Sequence, residues 1–291
     1  MSEKNKWDAT NIPDLSGQTW LVTGATNGLG LETARRAAAS GARLVLAVRD
    51  TARGAEIARE LSGAEVVALD LASLDSVRRA AAQIDDVDVL INNAGGSPTQ
   101  RLETADGFEM NLGVNFLGPF LFTNLVLPKV RRRVVVLGST AHKGQSFDFG
   151  DPHFRTRAWS KSTAYAQSKL ADMVWGLELA RRLREADRGV DAHLAHPGWA
   201  ATNMANPGGS RWTKVLLAPV VSLMAQPAER AALPTLFAAT QPLEPGSYIG
   251  PDGPGEMRGY PKVVQPSRTA ADPEVGKRMW EFAVEETGSP R

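Results

Sequence analysis

Thr23-Gly24-Ala25-Thr26-Asn27-Gly28-Leu29-Gly30 is the stretch that decides the fold of this chain. It follows a short apolar run, Thr19–Val22, and leads into a segment of helical composition, Glu32–Ser40. Glycines permit backbone torsions and close approaches that a Cβ would block. A helix N-terminus also offers free N–H groups and a partial positive charge to a pyrophosphate. The position and the Gly-x3-Gly-x-Gly spacing therefore predict a dinucleotide-binding turn, although a simple tight turn would also use such glycines.

Short apolar runs alternate with longer segments rich in Ala, Leu and Arg. The runs with strand character are Thr19–Val22, Leu44–Val48, Val66–Leu69, Val87–Ile91, Val134–Leu137 and Val190–Ala195. The segments with helical character are Glu32–Ser40, Gly54–Leu61, Leu74–Gln83, Asn111–Leu127, Ala164–Ala186 and Pro273–Glu286. Repeated strand-helix-strand units predict the α/β class, with a single doubly wound parallel sheet (a Rossmann fold) and helices on both faces.

The length of the chain and its punctuation predict one domain over residues 1–291. The region of about 200–232 follows Pro197-Gly198 and is apolar enough for a mobile lid over a hydrophobic substrate. Packing of this region on the body or on a partner subunit is the open alternative. From Pro242 to Pro266 the chain is rich in Gly and Pro, and the pattern assigns no strand there.

Composition narrows the classes of function. The chain has 33 basic and 32 acidic residues, so its charge balance indicates no nucleic-acid partner. It has no cysteine, and His193 and His196 are expected on opposite faces of a strand, so we predict no metal site. The polar N-terminus lacks a signal-peptide core, and Pro219 interrupts the longest apolar stretch, Val215–Ala225. We therefore expect no membrane span and a cytoplasmic location.

Tyr165 and Lys169 are four residues apart in a predicted helix, and they therefore share one face. The Lys169 ammonium can then lie beside the Tyr165 phenol and stabilise its anion. A unit charge about 4 Å away is worth roughly 4 kcal/mol at an effective dielectric constant near 20. Such a phenol could exchange protons near neutral pH, which suits an acid/base catalyst. A solvated helix face would show the same spacing, so its meaning depends on the other motifs.

Taken together, the motifs resemble the short-chain dehydrogenase/reductase family over about Gly17 to Thr202. In the family's order they are the Gly-rich turn, Asn92-Asn93-Ala94-Gly95, Asn115, Ser139, Tyr165-x3-Lys169 and Pro197-Gly198. Three further features are similar to the retinol-dehydrogenase-like branch, in a bacterial type of member. They are Ala141-His142, Gln167-Ser168-Lys169-Leu170-Ala171 and the long interval from Ser139 to Tyr165. The chain departs from many members at Gly138, where a second serine is common.

The resemblance implies four catalytic residues: Asn115, Ser139, Tyr165 and Lys169. Tyr165 would be the general acid/base, and Lys169 would lower its pKa and bind the nicotinamide ribose. Ser139 would hold the substrate oxygen. Asn115 would anchor a proton relay to Lys169 through its backbone and a water molecule. These roles agree with the need to stabilise a developing alkoxide and to deliver a proton.

The resemblance also implies a bound NADP, with NAD as the alternative. The implied cofactor-binding residues are Gly24, Thr26, Asn27, Gly28, Leu29, Gly30, Arg49, Asp70, Leu71, Asn92, Ala94, Gly95, Tyr165, Lys169, Pro197, Gly198 and Thr202. Arg49, at the end of the second strand, suits a 2′-phosphate, whereas the neighbouring Asp50 would suit a free 2′-hydroxyl. Asp70 could instead cap the next helix.

These inferences lead to one functional hypothesis and two rivals. The hypothesis is an NADP(H)-dependent oxidoreductase that interconverts a ketone or aldehyde and an alcohol on an apolar small molecule. One rival is a non-catalytic protein that senses a dinucleotide. The other is a nucleotide-sugar epimerase or dehydratase, which the short region after the sheet disfavours. Self-association into a homo-oligomer stays open, because no pattern in the chain decides it.

Overall fold

One sheet of eight strands forms the centre of the computed structural model, which describes residues 6–199 and 226–290. Its strands are β1 (Thr19–Thr23), β2 (Arg43–Val48), β3 (Glu65–Ala68), β4 (Val87–Asn92), β5 (Val130–Leu137), β6 (Asp191–Ala195), β7 (Tyr248–Pro251) and β8 (Pro261–Val264). The order across the sheet is β3-β2-β1-β4-β5-β6-β7-β8. Every neighbouring pair is parallel except β7 and β8, which are antiparallel. The strand order reverses between the neighbours β1 and β4, because the chain crosses from β3 at one edge to β4 in the middle of the sheet.

Helices cover both faces of the sheet, as predicted for a doubly wound fold. They are α1 (Gly28–Ala39), α2 (Thr51–Glu60), α3 (Leu74–Gln83), α4 (Met110–Leu112, Gly113–Leu117 and Gly118–Val126 in one run), α5 (Lys161–Glu185), α6 (Ala228–Ala231), α7 (Leu233–Thr240) and α8 (Pro273–Thr287). One apolar layer packs α3, α4, α5 and α8 against the sheet around Trp175. The other packs α1, α2 and α7 against it around Trp20. The predicted Rossmann architecture is therefore confirmed.

The region between Pro242 and Pro266, to which the sequence pattern assigns no strand, contributes to the sheet. Two short strands, β7 and β8, lie in that region and extend the sheet beyond β6. Each is four residues long, and their outer register pair is Pro251 with Pro261. Proline donates no ladder hydrogen bond and is confined to edges and strand ends, so these strands lack the usual sequence pattern. Together β7 and β8 form a hairpin that reaches the ligand-binding edge of the sheet.

Helix α4 contains a π-helical turn, Gly113–Leu117, within the segment predicted as one continuous helix. The N–H of Gly118 donates to the carbonyl of Gly113, five residues earlier. Such turns often occur at functional sites. By length and composition, Met110–Lys129 is also apolar enough to cross a membrane, but 78% of the window that passes this test is buried inside the fold. Its apolar character is that of a core helix packed under the sheet.

The side chain of His193 on β6 is completely buried, and neither of its ring nitrogens has a hydrogen-bond partner. Burial, with a smaller contribution from Arg133, lowers the pKa of His193 from 6.5 to about 3. The unfolded chain therefore binds this proton at a higher pH than the folded protein does. Stability is lost as pH falls from the unfolded pKa toward the folded one.

We expect His193→Leu to remove part of this acid sensitivity. At pH 5 the wild-type protein should have lost about 2 kcal/mol of unfolding free energy through His193, relative to pH 7. Urea denaturation at both pH values measures the loss in the two proteins. An equal loss in the variant would show that the ionisation of His193 does not control acid stability.

Candidate active site

A cleft of about 1550 Å³ runs along the carboxyl edge of the sheet, at the point where the strand order reverses. Ligands of open α/β sheets bind in such a crevice. The predicted site residues that line it are Gly24, Thr26, Asn27, Gly28, Leu29, Gly30, Arg49, Asp70, Leu71, Ala94, Gly95, Ser139, Tyr165, Lys169, Pro197 and Gly198. Parallel strands bring these residues together because their carboxyl ends meet at one edge.

Two predicted site residues of the described chain do not line the cleft. Asn92 and Asn115 are buried behind its wall, around a small internal void. Thr202 lies outside the described residues, as does most of the predicted lid, residues 200–225. Trp199 and Gln226, the described residues on either side of this segment, are hydrogen-bonded: the N–H of Gln226 donates to the Trp199 carbonyl over 2.8 Å. Trp199 itself lines the cleft.

The glycine-rich turn forms a cradle at one end of the cleft. Gly24 and Gly28 have φ angles of +68° and +54°, which favour glycine. A Cβ on Gly30 would lie 2.3 Å from Asn93 Nδ2 and 2.5 Å from the Gly24 carbonyl oxygen. Helix α1 begins at Gly28, and the side chain of its N-cap residue, Asn27, makes no capping hydrogen bond. The first N–H groups of α1 are thus free to bind an anion in the cleft.

A clasp between β1 and β4 holds this turn in place. Thr23 Oγ1 accepts hydrogen bonds from the N–H groups of Asn93 and Ala94, both over 3.0 Å. In return, Asn93 Nδ2 donates to the carbonyls of Thr23 (2.9 Å) and Gly24 (3.3 Å). The clasp fixes the glycine cradle relative to the centre of the sheet.

Asn92, which the resemblance assigns to the cofactor site, directs its side chain away from the cleft. Its side chain is buried and Nδ2 donates to Thr123 Oγ1 over 2.8 Å, on the α4 side of the sheet. Successive residues of a strand point to opposite faces, so only one of the two adjacent asparagines can face the turn. Asn93 is that residue, and it lines the cleft.

The far end of the cradle is lined by Arg49, Asp50 and Arg53. Asp50 caps α2, because its Oδ1 accepts the Arg53 N–H over 3.0 Å. Arg53 forms an exposed ion pair with Glu56 at 2.5 Å. Asp70 does not cap the next helix; Ser73 is the N-cap of α3, while Asp70 Oδ1 accepts the Ala72 N–H over 3.0 Å. The end of β2 and the first turn of α2 therefore place two arginines in the cleft lining, beside one carboxylate that caps α2.

Ser139, Tyr165 and Lys169 line the same part of the cleft. Ser139 lies just after β5, and its Oγ accepts the Ala141 N–H over 3.2 Å. An added Cβ on the preceding residue, Gly138, would lie 2.4 Å from Met173 Sδ, so a serine there would require Met173 to move. Lys169 Nζ donates to the Leu137 carbonyl over 3.0 Å. These bonds position the Ser139 and Lys169 side chains in the cleft wall.

Lys169 is a buried cation with one anionic partner on its own helix. Its Nζ lies 2.7 Å from Oδ2 of Asp172, and both side chains are almost completely buried. Burial lowers the pKa of Lys169, but Asp172 and Tyr165 raise it, and the net direction is upward. Burial raises the pKa of Asp172 to about 6, although Lys169 acts in the opposite direction. The motif search missed Asp172, whose signal is an acid three residues after the lysine on the buried face.

Asn115 lies in the π-helical turn of α4, and its side chain links three parts of the wall. Its Oδ1 accepts the Gly96 N–H over 2.7 Å, and its Nδ2 donates to the Gly96 carbonyl over 3.0 Å. Nδ2 also donates to Ser168 Oγ over 2.9 Å, and that hydroxyl donates to the Tyr165 carbonyl. The side chain of Asn115 therefore supports the backbone around Tyr165 and the loop after β4.

The wall next to Ser139 comes from a part of the chain that sequence reasoning missed. Glu256 and Met257 line the cleft and lie between β7 and β8. Glu256 accepts from Lys143 Nζ over 2.8 Å, and its Oε2 lies 3.2 Å from Nε2 of the buried His196. A Cβ on Gly198 would lie 2.4 Å from the Met257 carbonyl oxygen. No signal in the sequence pairs these positions, because the strands that carry them were not recognised.

The remaining wall near Tyr165 is largely apolar. The apolar side chains that line it are Leu102, Met110, Val114, Leu137, Trp199 and Met257. Leu102 is 41% exposed and Trp199 is 40% exposed, so apolar surface faces the opening. Within residues 6–199 and 226–290, no group of three His, Asp or Glu side chains has an arrangement that could hold a metal ion. Recognition at this end of the cleft therefore relies on apolar contact with a few polar groups.

Comparisons with known proteins agree with this geometry. Residues 18–211 match the family model of the short chain dehydrogenases. Human retinol dehydrogenase 13 is 37% identical over 284 residues, which cover 91% of this chain and 83% of that protein. A solved structure from Mycobacterium paratuberculosis, an uncharacterised protein, is 39% identical with a TM-score of 0.85 and 98% coverage of both chains. A Burkholderia cenocepacia short chain dehydrogenase, solved in complex with NADP, is 25% identical with a TM-score of 0.62 and covers 78% of this chain and 92% of its own.

The match to the family model includes β1 to β6 and the whole of α5, the helix that carries Tyr165. Dehydrogenases of this kind act on CH–OH and C=O groups and use NAD or NADP. The chain is therefore an oxidoreductase that belongs to the short-chain dehydrogenase/reductase family, in its retinol-dehydrogenase-like branch.

Proposed function

We propose that this protein is an NADP(H)-dependent oxidoreductase that interconverts a ketone or aldehyde and an alcohol on an apolar small molecule. One observation carries the proposal: Ser139, Tyr165 and Lys169 line one end of a cleft whose other end is a glycine cradle and a pair of arginines. The first group suits proton transfer to a carbonyl oxygen, and the second suits a phosphorylated dinucleotide.

The residues of the cleft fit a nicotinamide dinucleotide. A Cβ on Gly30 or Gly24 would meet the clasp within 3 Å, so glycine keeps the backbone open for a pyrophosphate. A Cβ on Gly95 would lie 3.0 Å from Asn115 Oδ1 and 3.8 Å from Lys169 Nζ. The N-terminus of α1 would hold the pyrophosphate, and Lys169 would hold the nicotinamide ribose. When bound, the nicotinamide supplies or accepts the hydride.

The preference for NADP rests on the charges at the end of β2. Arg49 and Arg53 line this part of the cleft, while Asp50 accepts the Arg53 N–H as a helix cap. A guanidinium binds a phosphate through two parallel hydrogen bonds, and two guanidiniums would surround the extra 2′-phosphate of NADP. The relative solved with NADP agrees with this choice.

The chain's own residues divide the proton chemistry among them. Ser139 would donate a hydrogen bond to the substrate oxygen, and Tyr165 would give that oxygen its proton during reduction or take it during oxidation. The Lys169 ammonium would stabilise the phenolate, since its charge acts on Tyr165. Asn115 would keep Tyr165 and the loop after β4 in register. A protein that only senses a dinucleotide would have no use for this set.

The apolar wall favours a hydrophobic substrate such as an isoprenoid aldehyde or alcohol, in line with the name of the human relative. Trp199 and Leu102 would contact such a chain at the opening.

We also propose one catalytic unit over residues 1–291 and a cytoplasmic location. The buried packing of α4 supports the latter, because this apolar helix is used by the core.

Replacing Arg49 by alanine should weaken NADPH binding about tenfold and leave NADH binding nearly unchanged, because the lost hydrogen bonds go to a charged 2′-phosphate. Tryptophan fluorescence titration gives both dissociation constants. Arg59→Ala is the matched control, since Arg59 is an exposed arginine of α2 outside the cleft lining. Equal losses for the two cofactors in Arg49→Ala would remove the basis for the NADP preference.

Replacing Tyr165 by phenylalanine should lower turnover by about 10²–10⁴-fold and leave NADPH affinity nearly intact. The variant keeps the aromatic ring and loses only the proton donor. Turnover is measured with NADPH and a panel of apolar aldehydes and ketones that includes retinaldehyde. Retention of most activity in Tyr165→Phe would contradict the acid/base role of Tyr165. A folded wild-type protein that binds NADPH but reduces no member of a broad panel would favour a protein that only senses the dinucleotide.

A further inference from the structure

The Lys169 ammonium, which is predicted to activate Tyr165, lies beside the buried carboxylate of Asp172. Asp172 lies three residues after Lys169 on α5, with Oδ2 2.7 Å from Nζ. Asp172 is 1% exposed and Lys169 is 6% exposed, so water screens neither charge. Buried pairs act through a lower dielectric constant than surface pairs, and each charge is felt further away. Asp172 is thus an unscreened negative charge close to the site of proton transfer.

The second carboxylate oxygen of Asp172 faces a small internal void. This atom, Oδ1, has no hydrogen-bond partner, and neither has Oδ1 of Asn92 or Nε1 of Trp175, which line the same small void. Buried polar atoms in folded proteins are normally paired, so a carboxylate with one unpaired oxygen depends on the partner of its other oxygen. Lys169 therefore provides the main stabilisation of the Asp172 charge.

The groups that face Asp172 come from three other elements besides its own helix. They are Asn92 and Ala94 at the end of β4, Asn115 and Pro119 of α4, and Val136 and Leu137 of β5. All of them are uncharged. Within the described residues, Lys169 is the charged group that acts on Asp172, and Tyr165 is the second group that acts on Lys169. The three titratable side chains form a row along one face of α5.

We propose that Asp172 is a positioning residue that holds the Lys169 ammonium in place and offsets part of its charge at Tyr165. This inference rests on the proposed function, in which Tyr165 exchanges a proton with the substrate oxygen. The charge of Asp172 opposes ionisation of the phenol, whereas that of Lys169 favours it. Asp172 thereby sets the pH range in which Tyr165 can act as both acid and base.

Neutralising Asp172 should move the ionisation of Tyr165 to lower pH. Asp172→Asn keeps the shape and an acceptor oxygen for Lys169 Nζ, and it removes only the charge. The Asp172 charge acts on the phenol across the Lys169 side chain. At an effective dielectric constant near 20, its removal should lower the midpoint of the Tyr165 titration by about one pH unit. Asp172→Ala removes the acceptor as well, so it should also weaken NADPH binding, by about tenfold.

The ionisation can be measured without a substrate. The chain has three tyrosines, Tyr165, Tyr248 and Tyr260. Burial raises the pKa of Tyr248 far above its ordinary value, so it stays protonated. Tyr260→Phe keeps the ring that contacts Lys6 and Arg230. In that background the ultraviolet difference absorbance of tyrosinate, followed against pH, reports Tyr165, and the additional change Tyr165→Phe verifies the assignment.

Glu178→Gln is the matched control, because Glu178 is a buried carboxylate on the same helix whose partners are Arg181 and Arg182. It should leave the Tyr165 titration unchanged. In Asp172→Asn the midpoint should fall by about one pH unit, with NADPH affinity close to that of the wild type. An unchanged or higher midpoint would overturn the proposal. Should Asp172→Asn fail to fold, the smaller neutral variant Asp172→Ser gives the same comparison.

The outcomes separate this inference from the proposed function. If the wild-type protein reduces a member of the carbonyl panel and the titration midpoint does not move, Asp172 has no role at Tyr165 and the oxidoreductase stands. If the midpoint moves but no carbonyl is reduced, the electrostatic coupling stands and the proposed reaction fails.

Discussion

The clasp between β1 and β4 is the constraint on which the site depends. Asn93 Nδ2 reaches the carbonyls of Thr23 and Gly24 only because Gly30 has no Cβ in its way. The clasp therefore sets the shape of the glycine cradle and joins the two halves of the sheet, which meet at β1 and β4. Since β4 also leads to Gly95 and Gly96, the same clasp places the loop that Asn115 holds. The glycine cradle and the cleft wall around Asn115 are thus parts of one hydrogen-bonded unit.

The second constraint is electrostatic. A lysine buried beside Tyr165 needs compensation, since an unpaired buried charge is costly. The fold supplies one carboxylate, Asp172, and one backbone carbonyl, that of Leu137. Compensation that is too strong would cancel the effect of Lys169 on the phenol.

The sequence predicts most of the sheet, because buried parallel strands are continuous apolar runs. It also predicts the turn at the edge of the sheet, because closely spaced glycines indicate backbone conformations that other residues rarely adopt. It does not predict β7 and β8, whose prolines and short length remove the strand pattern. Glu256 and Met257 were missed for the same reason. Of the two adjacent asparagines, Asn93 rather than Asn92 lines the cleft, because successive strand residues face opposite sides of the sheet. Asp172 shows its role only through its distance to Lys169.

The most direct test of the account is a titration of the unmodified protein with NADPH and with NADH, followed by energy transfer from its tryptophans to the reduced nicotinamide. Trp199 lies in the cleft wall and should report binding there. Both cofactors should bind saturably, with a smaller dissociation constant for NADPH. Folded protein that binds neither would contradict the cofactor site and the reaction built on it.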